Sequence, residues 1–237
     1  MTHSLKNKVV WITGGKRIGQ EIAKALSELG VDLVVSYRSS REEAEKFSNA
    51  FVLQCDVTDR KSVEEAVNKI KEKFGKLDIL VLLASIFKPV KFEDISEKDW
   101  DANFAAHVKG TFWPIQLASR IMPAGSHAVT VADRTALGKI YPGYLPYVVT
   151  KSAVAALTRA LAVELGPKGV FINSIAPGPV LKPNDISEEE WRAIRKESII
   201  KYPLTDDEAV QEFVDTVLRL CSVRSSGSVY PLDFGHL

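Results

Sequence analysis

The chain of 237 residues is 46% apolar and carries 31 basic and 30 acidic side chains, enough to bury one sizeable core. A net charge of +1 gives no sign of binding to nucleic acid or to a membrane surface. No apolar run approaches membrane-spanning length and the N-terminus shows no signal peptide, so we expect one cytoplasmic domain over residues 1–237. The two cysteines lack metal-ligand spacing, and we expect reduced thiols and no metal.

The chain begins with a strand, a glycine turn and a helix. The apolar run Val9–Thr13 is followed by Gly14, Gly15 and Gly19, and then by a helical pattern that Gly30 ends. In this setting the backbone N–H groups can approach a pyrophosphate, and the helix N-terminus adds a partial positive charge. A plain tight turn is the alternative. We favour a phosphate loop made of Gly14, Gly15, Arg17, Ile18 and Gly19.

The second predicted strand, Val31–Tyr37, indicates which dinucleotide binds. In such folds an acid at the end of this strand takes the ribose hydroxyl of NAD, whereas a nearby Arg takes the 2′-phosphate of NADP. Here the strand ends in Arg38 and Ser39, with no acid. The sequence therefore predicts NADP(H). Alternatively, Arg38 is merely solvated, while Ser40 and Glu43 form a capping box for the next helix.

The rest of the chain alternates strands with helices, which predicts an α/β fold: a Rossmann-type, doubly wound parallel sheet with helices on both faces. Residues from about 182 to 204 are polar, with a short helical piece around Trp191, and suit a substrate lid. The further strands are predicted at Phe51–Asp56, Leu77–Leu83, His127–Ala132, Val170–Ile175 and Ser228–Leu232. The further helices are predicted at Asp59–Phe74, Glu97–Ile121, from Pro146 to Leu165, and at Val210–Leu220.

Ligands of such sheets bind at the carboxyl ends of the strands. Tyr147 and Lys151 follow the fifth strand and lie four residues apart on one helical face. A cation beside a phenol lowers the phenol's pKa from about 10, and this gives a proton donor and acceptor suited to interconverting a carbonyl and an alcohol. An ordinary surface pair is the alternative. The residues predicted at strand ends are Gly14, Arg38, Asp56, Ser85, Asp133 and Pro177.

Over essentially its whole length the chain resembles the short-chain dehydrogenase/reductase family. The matching marks are Thr13-Gly14-Gly15…Gly19, Asp56-Val57, Ala84-Ser85, Lys109-Gly110, Tyr147…Lys151, Asn173…Pro177-Gly178 and Leu232-Asp233-Phe-Gly235.

The resemblance implies NAD(P)(H)-dependent oxidoreduction, with Tyr147 as the acid/base and Lys151 holding the nicotinamide ribose and lowering the tyrosine's pKa. Asp56 would touch the adenine. The cofactor contacts expected beyond the phosphate loop are Arg38, Ser39, Asp56, Val57, Ala84, Ser85, Tyr147, Lys151, Pro177, Gly178 and Val180.

The family pattern is broken at four places. The glycine loop is one residue short, and the usual Asn-Asn-Ala-Gly reads Leu82-Leu83-Ala84-Ser85. His107 occupies the usual position of an active-site asparagine, where it is either a packed histidine or a proton relay. No serine occupies the carbonyl-binding position; Asp133 stands there, fourteen residues before Tyr147.

These departures together resemble the pteridine reductase branch, in which such an Arg and Phe flank the cofactor and pterin and the Asp assists the tyrosine. Singly, Arg17 reads as a solvated loop residue, Phe87 as a loop anchor and Asp133 as a helix cap. The expected catalytic residues are Tyr147, Lys151, Asp133 and His107. The expected substrate contacts are Arg17, Phe87, Asp133 and Tyr144.

The leading hypothesis is an NADPH-dependent reductase of a small dihydropterin-like heterocycle. A reductase of 3-oxoacyl thioesters or small ketones is the alternative, although the missing serine opposes it. A third possibility is a non-catalytic dinucleotide-binding protein, which the intact tyrosine and lysine pair opposes. We also expect a homo-oligomer, a tetramer or dimer, because the helix over residues 152–163 is apolar nearly all round.

Overall fold

Seven parallel strands form one sheet in the order β3-β2-β1-β4-β5-β6-β7 in the part of the chain that the computed structural model describes, residues 5–39, 47, 49–138, 140–183, 186–200 and 204–236. The parallel pairing confirms the predicted doubly wound sheet. The strands are β1 Val9–Thr13, β2 Asp32–Tyr37, β3 Phe51–Gln54, β4 Ile79–Leu82, β5 His127–Val131, β6 Phe171–Pro177 and β7 Val229–Leu232.

Helices cover both faces of this sheet. Side chains of β1 alternate between two cores: Trp11 packs among residues of α2, α4 and α5, whereas Ile12 packs among residues of α1 and α7. The central strands are apolar on both faces because each face is covered. The helices are α1 Ile18–Glu28, α2 Arg60–Phe74, α3 Glu97–Asn103, α4 Gly110–Ala118, α5 Leu145–Leu165, α6 Glu188–Lys196 and α7 Asp206–Leu220.

The predicted long helix over Glu97–Ile121 is interrupted. Between α3 and α4 lies a π-helical segment, Phe104–Lys109, and α4 ends at Ala118. Pro114 lies inside α4 and has no N–H to donate to the carbonyl four residues earlier, that of Gly110. The π-helical segment ends at Lys109, just before Gly110. Hydrophobic spacing alone does not reveal such a change of pitch.

Several predicted boundaries move by a few residues. Strand β6 starts at Phe171 and reaches Pro177, so it continues as far as the edge of the cleft described below. Helix α7 starts at Asp206 because Thr205 caps it. The predicted capping box at Ser40 and Glu43 lies outside the described residues.

Both cysteines are buried and have free thiols. Burial raises the pKa of Cys55 and of Cys221 to about 12. Among the described residues, no helix has the length and apolar character needed to cross a membrane.

Candidate active site

A cleft of about 1290 Å³ opens at the carboxyl ends of the strands. It brings together most of the residues that the sequence singled out. Gly19 and His107 do not line it; both are buried behind its wall. The predicted residues that line it are Gly14, Gly15, Arg17, Ile18, Arg38, Ser39, Asp56, Val57, Ala84, Ser85, Phe87, Asp133, Tyr144, Tyr147, Lys151, Pro177, Gly178 and Val180.

The turn between β1 and α1 is too crowded for most side chains. Gly14 has a φ of +79°, and a Cβ there would lie 2.8 Å from the backbone nitrogen of Ala84. A Cβ at Gly19 would lie 2.4 Å from the Gly14 carbonyl oxygen. The short loop therefore closes tightly, and the N-terminus of α1 is left at the cleft. Helix N-termini favour phosphate groups, and the phosphate loop stays a prediction.

Arg17 precedes α1 and has a φ of 54°, in the left-handed region. Its Nη2 donates a hydrogen bond of 2.6 Å to the carbonyl of Lys182, at the start of the predicted lid. This bond links the predicted phosphate loop to the predicted lid. The expected contact of Arg17 with the polar edge of a substrate stays a prediction.

The predicted adenine end of the cleft is formed by the segments after β2 and β3. Arg38 is exposed there, beside Ser39. Asp56 Oδ1 accepts hydrogen bonds from the backbone nitrogen and the hydroxyl of Thr58, at 2.9 and 2.8 Å. An exposed guanidinium at the mouth can meet an added phosphate of a dinucleotide.

The buried pair Tyr147 and Asp133 lies at the centre of the cleft. The phenol of Tyr147 donates a hydrogen bond of 2.8 Å to Asp133 Oδ2. Asp133 Oδ1 accepts from the backbone nitrogen of Thr135 at 2.9 Å, so the same side chain caps the short 3₁₀ turn Arg134–Ala136. Tyr147 is 7% exposed and Asp133 9%. Asp133 is thus both the cap of the 3₁₀ turn and the hydrogen-bond partner of Tyr147.

The prediction that Lys151 lowers the pKa of Tyr147 is wrong. Burial, followed by the charge of Asp133, raises the pKa of Tyr147 well above its usual value, so the free site holds a protonated phenol. The Lys151 ammonium donates to the Val131 carbonyl at 2.8 Å and lies 5.6 Å from the centre of the Tyr147 ring. The spacing of four residues placed both on one face, but it did not reveal that the phenol is bonded to a carboxylate.

Lys151 is itself almost fully buried. Burial lowers the pKa of its ammonium to about 8, although the neighbouring Asp133 opposes that change. The ammonium is therefore mostly charged at neutral pH and loses its proton as the pH rises through about 8. A cation is thus present beside the Tyr147 ring at neutral pH and is lost in mildly alkaline solution.

His107 joins helix α5 to the loop after β4. Its Nδ1 lies 2.7 Å from Thr150 Oγ1, and its Nε2 lies 2.9 Å from the Ser85 hydroxyl and 3.2 Å from the Ile86 nitrogen. The Thr150 hydroxyl gives its single hydrogen to a backbone carbonyl of the preceding turn, so it accepts from Nδ1. This network assigns the Nδ1–H tautomer, in which Nε2 accepts from Ile86.

The other tautomer would donate from Nε2 to the Ile86 carbonyl, 3.0 Å away, and would leave the Ile86 N–H without its acceptor. Burial, followed by the charge of Lys151, lowers the pKa of His107 to about 3. A histidine that is neutral at pH 7 holds the Ser85 loop in place and does not store a proton.

Aromatic side chains form one wall of the cleft. Phe87 and Tyr144 are stacked with ring centres 4.5 Å apart, and Tyr141 meets Tyr144 edge-on at 5.2 Å. Phe87 also meets Tyr147 edge-on at 4.9 Å. Sequence reasoning overlooked Tyr141 and the histidine partner Thr150. The available signal was the regular spacing of three tyrosines just before and within the start of α5.

The chain is similar to known proteins over most of its length. A family model described as enoyl-(acyl carrier protein) reductase matches residues 14–235. Versicolorin reductase 1 of Aspergillus parasiticus is 31% identical over 219 residues, 89% of this chain and 81% of that protein. A 3-oxoacyl-(acyl-carrier-protein) reductase of Staphylococcus aureus is 29% identical over 225 residues, 91% of each.

A solved short-chain dehydrogenase from Burkholderia cenocepacia J2315, in complex with NADP, is 29% identical with a TM-score of 0.87, and 99% of each chain is covered. The chain belongs to the short-chain dehydrogenase/reductase family, and it is an oxidoreductase of that family. The predicted fold, enzyme class and nicotinamide cofactor class are confirmed at this level.

We predict that Asp133→Asn lowers the pKa of Tyr147, because it removes the negative charge beside the phenol but keeps an oxygen to accept its hydrogen bond. The measurement is a pH titration of the near-ultraviolet phenolate absorbance, with Tyr147→Phe identifying the contribution of Tyr147. If Tyr147 ionises at the same pH in the parent and in Asp133→Asn, the carboxylate does not control it.

Proposed function

We propose that this protein is an NADPH-dependent reductase of a small flat-ring substrate, with a dihydropterin-like heterocycle as the first compound to test. The observation that carries the proposal is the buried hydrogen bond of 2.8 Å between Tyr147 and Asp133. A serine hydroxyl at this place would favour a ketone. A carboxyl group bonded to the acid/base suits a substrate that must gain a proton on nitrogen.

The choice of NADP(H) rests on the mouth of the cleft. Arg38 is exposed there and lines the cleft, and no acid ends β2. A bound 2′-phosphate would meet the guanidinium in a charge-assisted contact. The solved relative in complex with NADP supports the same choice. The glycine turn and the N-terminus of α1 would hold the pyrophosphate.

When bound, NADPH supplies the hydride. Tyr147 is protonated at neutral pH and gives its proton to the substrate atom beside the carbon that receives the hydride. Asp133 then takes a proton from solvent and passes it across the Oδ2 hydrogen bond to the vacated phenol oxygen, so Tyr147 and Asp133 both return to their starting forms. Lys151, charged below about pH 8, holds the nicotinamide ribose.

The substrate would lie against the aromatic wall. Phe87 is 39% exposed and lines the cleft, so a flat ring can cover the part of its face that Tyr144 leaves open. An ionised Asp133 would repel the alkoxide that forms as a ketone is reduced, whereas a ring nitrogen that gains a proton ends neutral. This difference favours the heterocycle.

A reductase of 3-oxoacyl thioesters or small ketones is the second candidate. The identity of 29% to the Staphylococcus aureus reductase over 91% of each chain favours it. The absence of a serine at the position of Asp133 opposes it.

We further propose that the chain forms one domain in which residues 182–204 cover the substrate. Of the described part of this segment, Pro183, Trp191, Ile194 and Glu197 line the cleft. Arg195, near the end of α6, donates hydrogen bonds of 2.7 Å to the carbonyls of Pro179 and Leu204. Because Pro179 precedes α6 and Leu204 follows it, these bonds fix the helix to the chain on both sides of it.

For the parent we expect NADPH oxidation with dihydrobiopterin, and for Asp133→Ala a loss of roughly 10²–10⁴ in its rate, typical of losing general acid catalysis. Asp133→Asn is the matched control, since it keeps an acceptor for the Thr135 cap but cannot carry the proton. Asp133→Ser should raise activity on an acetoacetyl thioester relative to the pterin. Reduction of the thioester but not the pterin by the parent, with Asp133→Ala unchanged, would leave only the second candidate.

For cofactor choice we expect Arg38→Asp to weaken NADPH binding by roughly 10² or more, because a charge-assisted contact is replaced by repulsion. NADH lacks the phosphate and serves as the control ligand, whose affinity should not fall. Fluorescence titration of both cofactors measures the effect. Equal weakening of NADPH and NADH would show that Arg38 does not meet the phosphate.

The homo-oligomer, a tetramer or dimer, is also a proposal. Helix α5 exposes a stripe of small and apolar side chains, Ala153, Ala156, Ala160 and Val163, of which Val163 is 76% exposed. A second copy of this helix could approach such a stripe closely. Light scattering at micromolar concentration should show a dimer or tetramer that Ala156→Glu dissociates; a monomeric parent would contradict the proposal.

A further inference from the structure

Arg134 is a half-buried cation on the substrate side of the cleft. It follows Asp133 directly in the chain. Its Nη1 donates a hydrogen bond of 3.3 Å to the carbonyl of His236, and its Cζ lies 5.5 Å from the centre of the Tyr141 ring. These two contacts hold the guanidinium in one position.

No carboxylate pairs with Arg134 among the residues that the structure describes. By contrast, Arg195 lies 3.4 Å from the Asp206 carboxylate, and Arg120 lies 3.3 Å from that of Glu64. The imidazole of His236 does not neutralise Arg134 either, because a histidine side chain is neutral or positively charged and never negative. A partly desolvated cation without a counter-ion favours an anionic ligand.

The aromatic wall connects this cation to the reacting group. Phe87 contacts Tyr147 edge-on and is stacked on Tyr144, which meets Tyr141 edge-on, and the guanidinium of Arg134 lies over Tyr141. The wall thus begins beside the phenol that delivers the proton and ends at a fixed positive charge. A flat ring with a negative group at one end matches that order of surfaces.

We propose that Arg134 determines specificity by binding an anionic substituent, such as a carboxylate, on the flat-ring substrate whose reducible atom faces Tyr147. This inference rests on the proposed function and names the substrate class more closely. The competing explanation is purely structural: Arg134 tethers the C-terminal segment through the His236 carbonyl. A structural tether would affect neutral and anionic ligands alike, whereas an anion site would affect only the latter.

The test uses two flat bicyclic dicarbonyl compounds, isatin and isatin-5-sulfonate, of which the second carries a permanent negative charge. Their binding to the 237-residue protein saturated with NADP⁺, which cannot reduce them, is measured by calorimetry. We expect the parent to bind the sulfonate about 10-fold tighter or more, as for a charge-assisted contact. In Arg134→Gln that preference should fall to about unity with isatin affinity kept, while Arg134→Lys should retain part of it.

Arg120→Gln removes the same charge at an exposed site outside the cleft and should leave the preference unchanged. The inference is overturned if neither compound binds, if the parent shows no preference, if the preference persists in Arg134→Gln, or if that variant weakens both compounds equally. NADPH oxidation with dihydrobiopterin is followed separately. Its absence, together with Arg134-dependent binding of the sulfonate, would count against the reductase activity and not against the anion site.

Discussion

Every strand of the sheet runs in the same direction, and the cleft depends on that constraint. The carboxyl ends of β1, β4, β5 and β6 meet at one edge, so the loops that follow them converge. The helix after β1 covers one face of the sheet, and the helices after β4 cover the other face. The loops that follow β1 and β4 therefore lead to opposite faces and leave a crevice between them. Gly14 and Ala84 pack closely at this crevice, since a Cβ on Gly14 would lie 2.8 Å from the Ala84 nitrogen. Strand order therefore determines where the site lies, whichever side chains line it.

Burial acts on the ionisable groups of this crevice in a common direction. It favours the neutral form of His107, Tyr147 and Lys151, and only for Lys151 does the charge of Asp133 oppose it. Of these three groups, only Lys151 is therefore mostly charged at neutral pH. The histidine in the place of the usual asparagine fits this arrangement, because it fixes the Ser85 loop as an uncharged group.

The sequence predicts the architecture well, since glycine turns, apolar strands and helix caps are local signals. Asp59 and Gly75, for example, bound α2 where capping rules place them. It predicts the contents of the cleft for a related reason: strand ends in a parallel sheet share an edge. The order and spacing of the family motifs then point to the class of enzyme.

What sequence reasoning missed depends on contacts between distant segments. The spacing of Tyr147 and Lys151 is visible in the sequence, but the burial of the phenol and its neighbour Asp133, which together raise its pKa, are not. Arg17 finds its partner 165 residues away, at Lys182. The π-helical segment escapes because its apolar pattern still resembles an α-helix. Each of these depends on packing, which one-dimensional periodicity does not encode.

The two buried cysteines have a chemical consequence. Reaction with peroxide or with a disulfide proceeds through the thiolate, and a thiol with a pKa of about 12 ionises to roughly one part in 10⁵ at neutral pH. Cys55 directly follows β3 and lines the cleft. Because the Cys55 thiol stays protonated at neutral pH, its sulfur does not take part in the oxidoreduction that the cleft carries out.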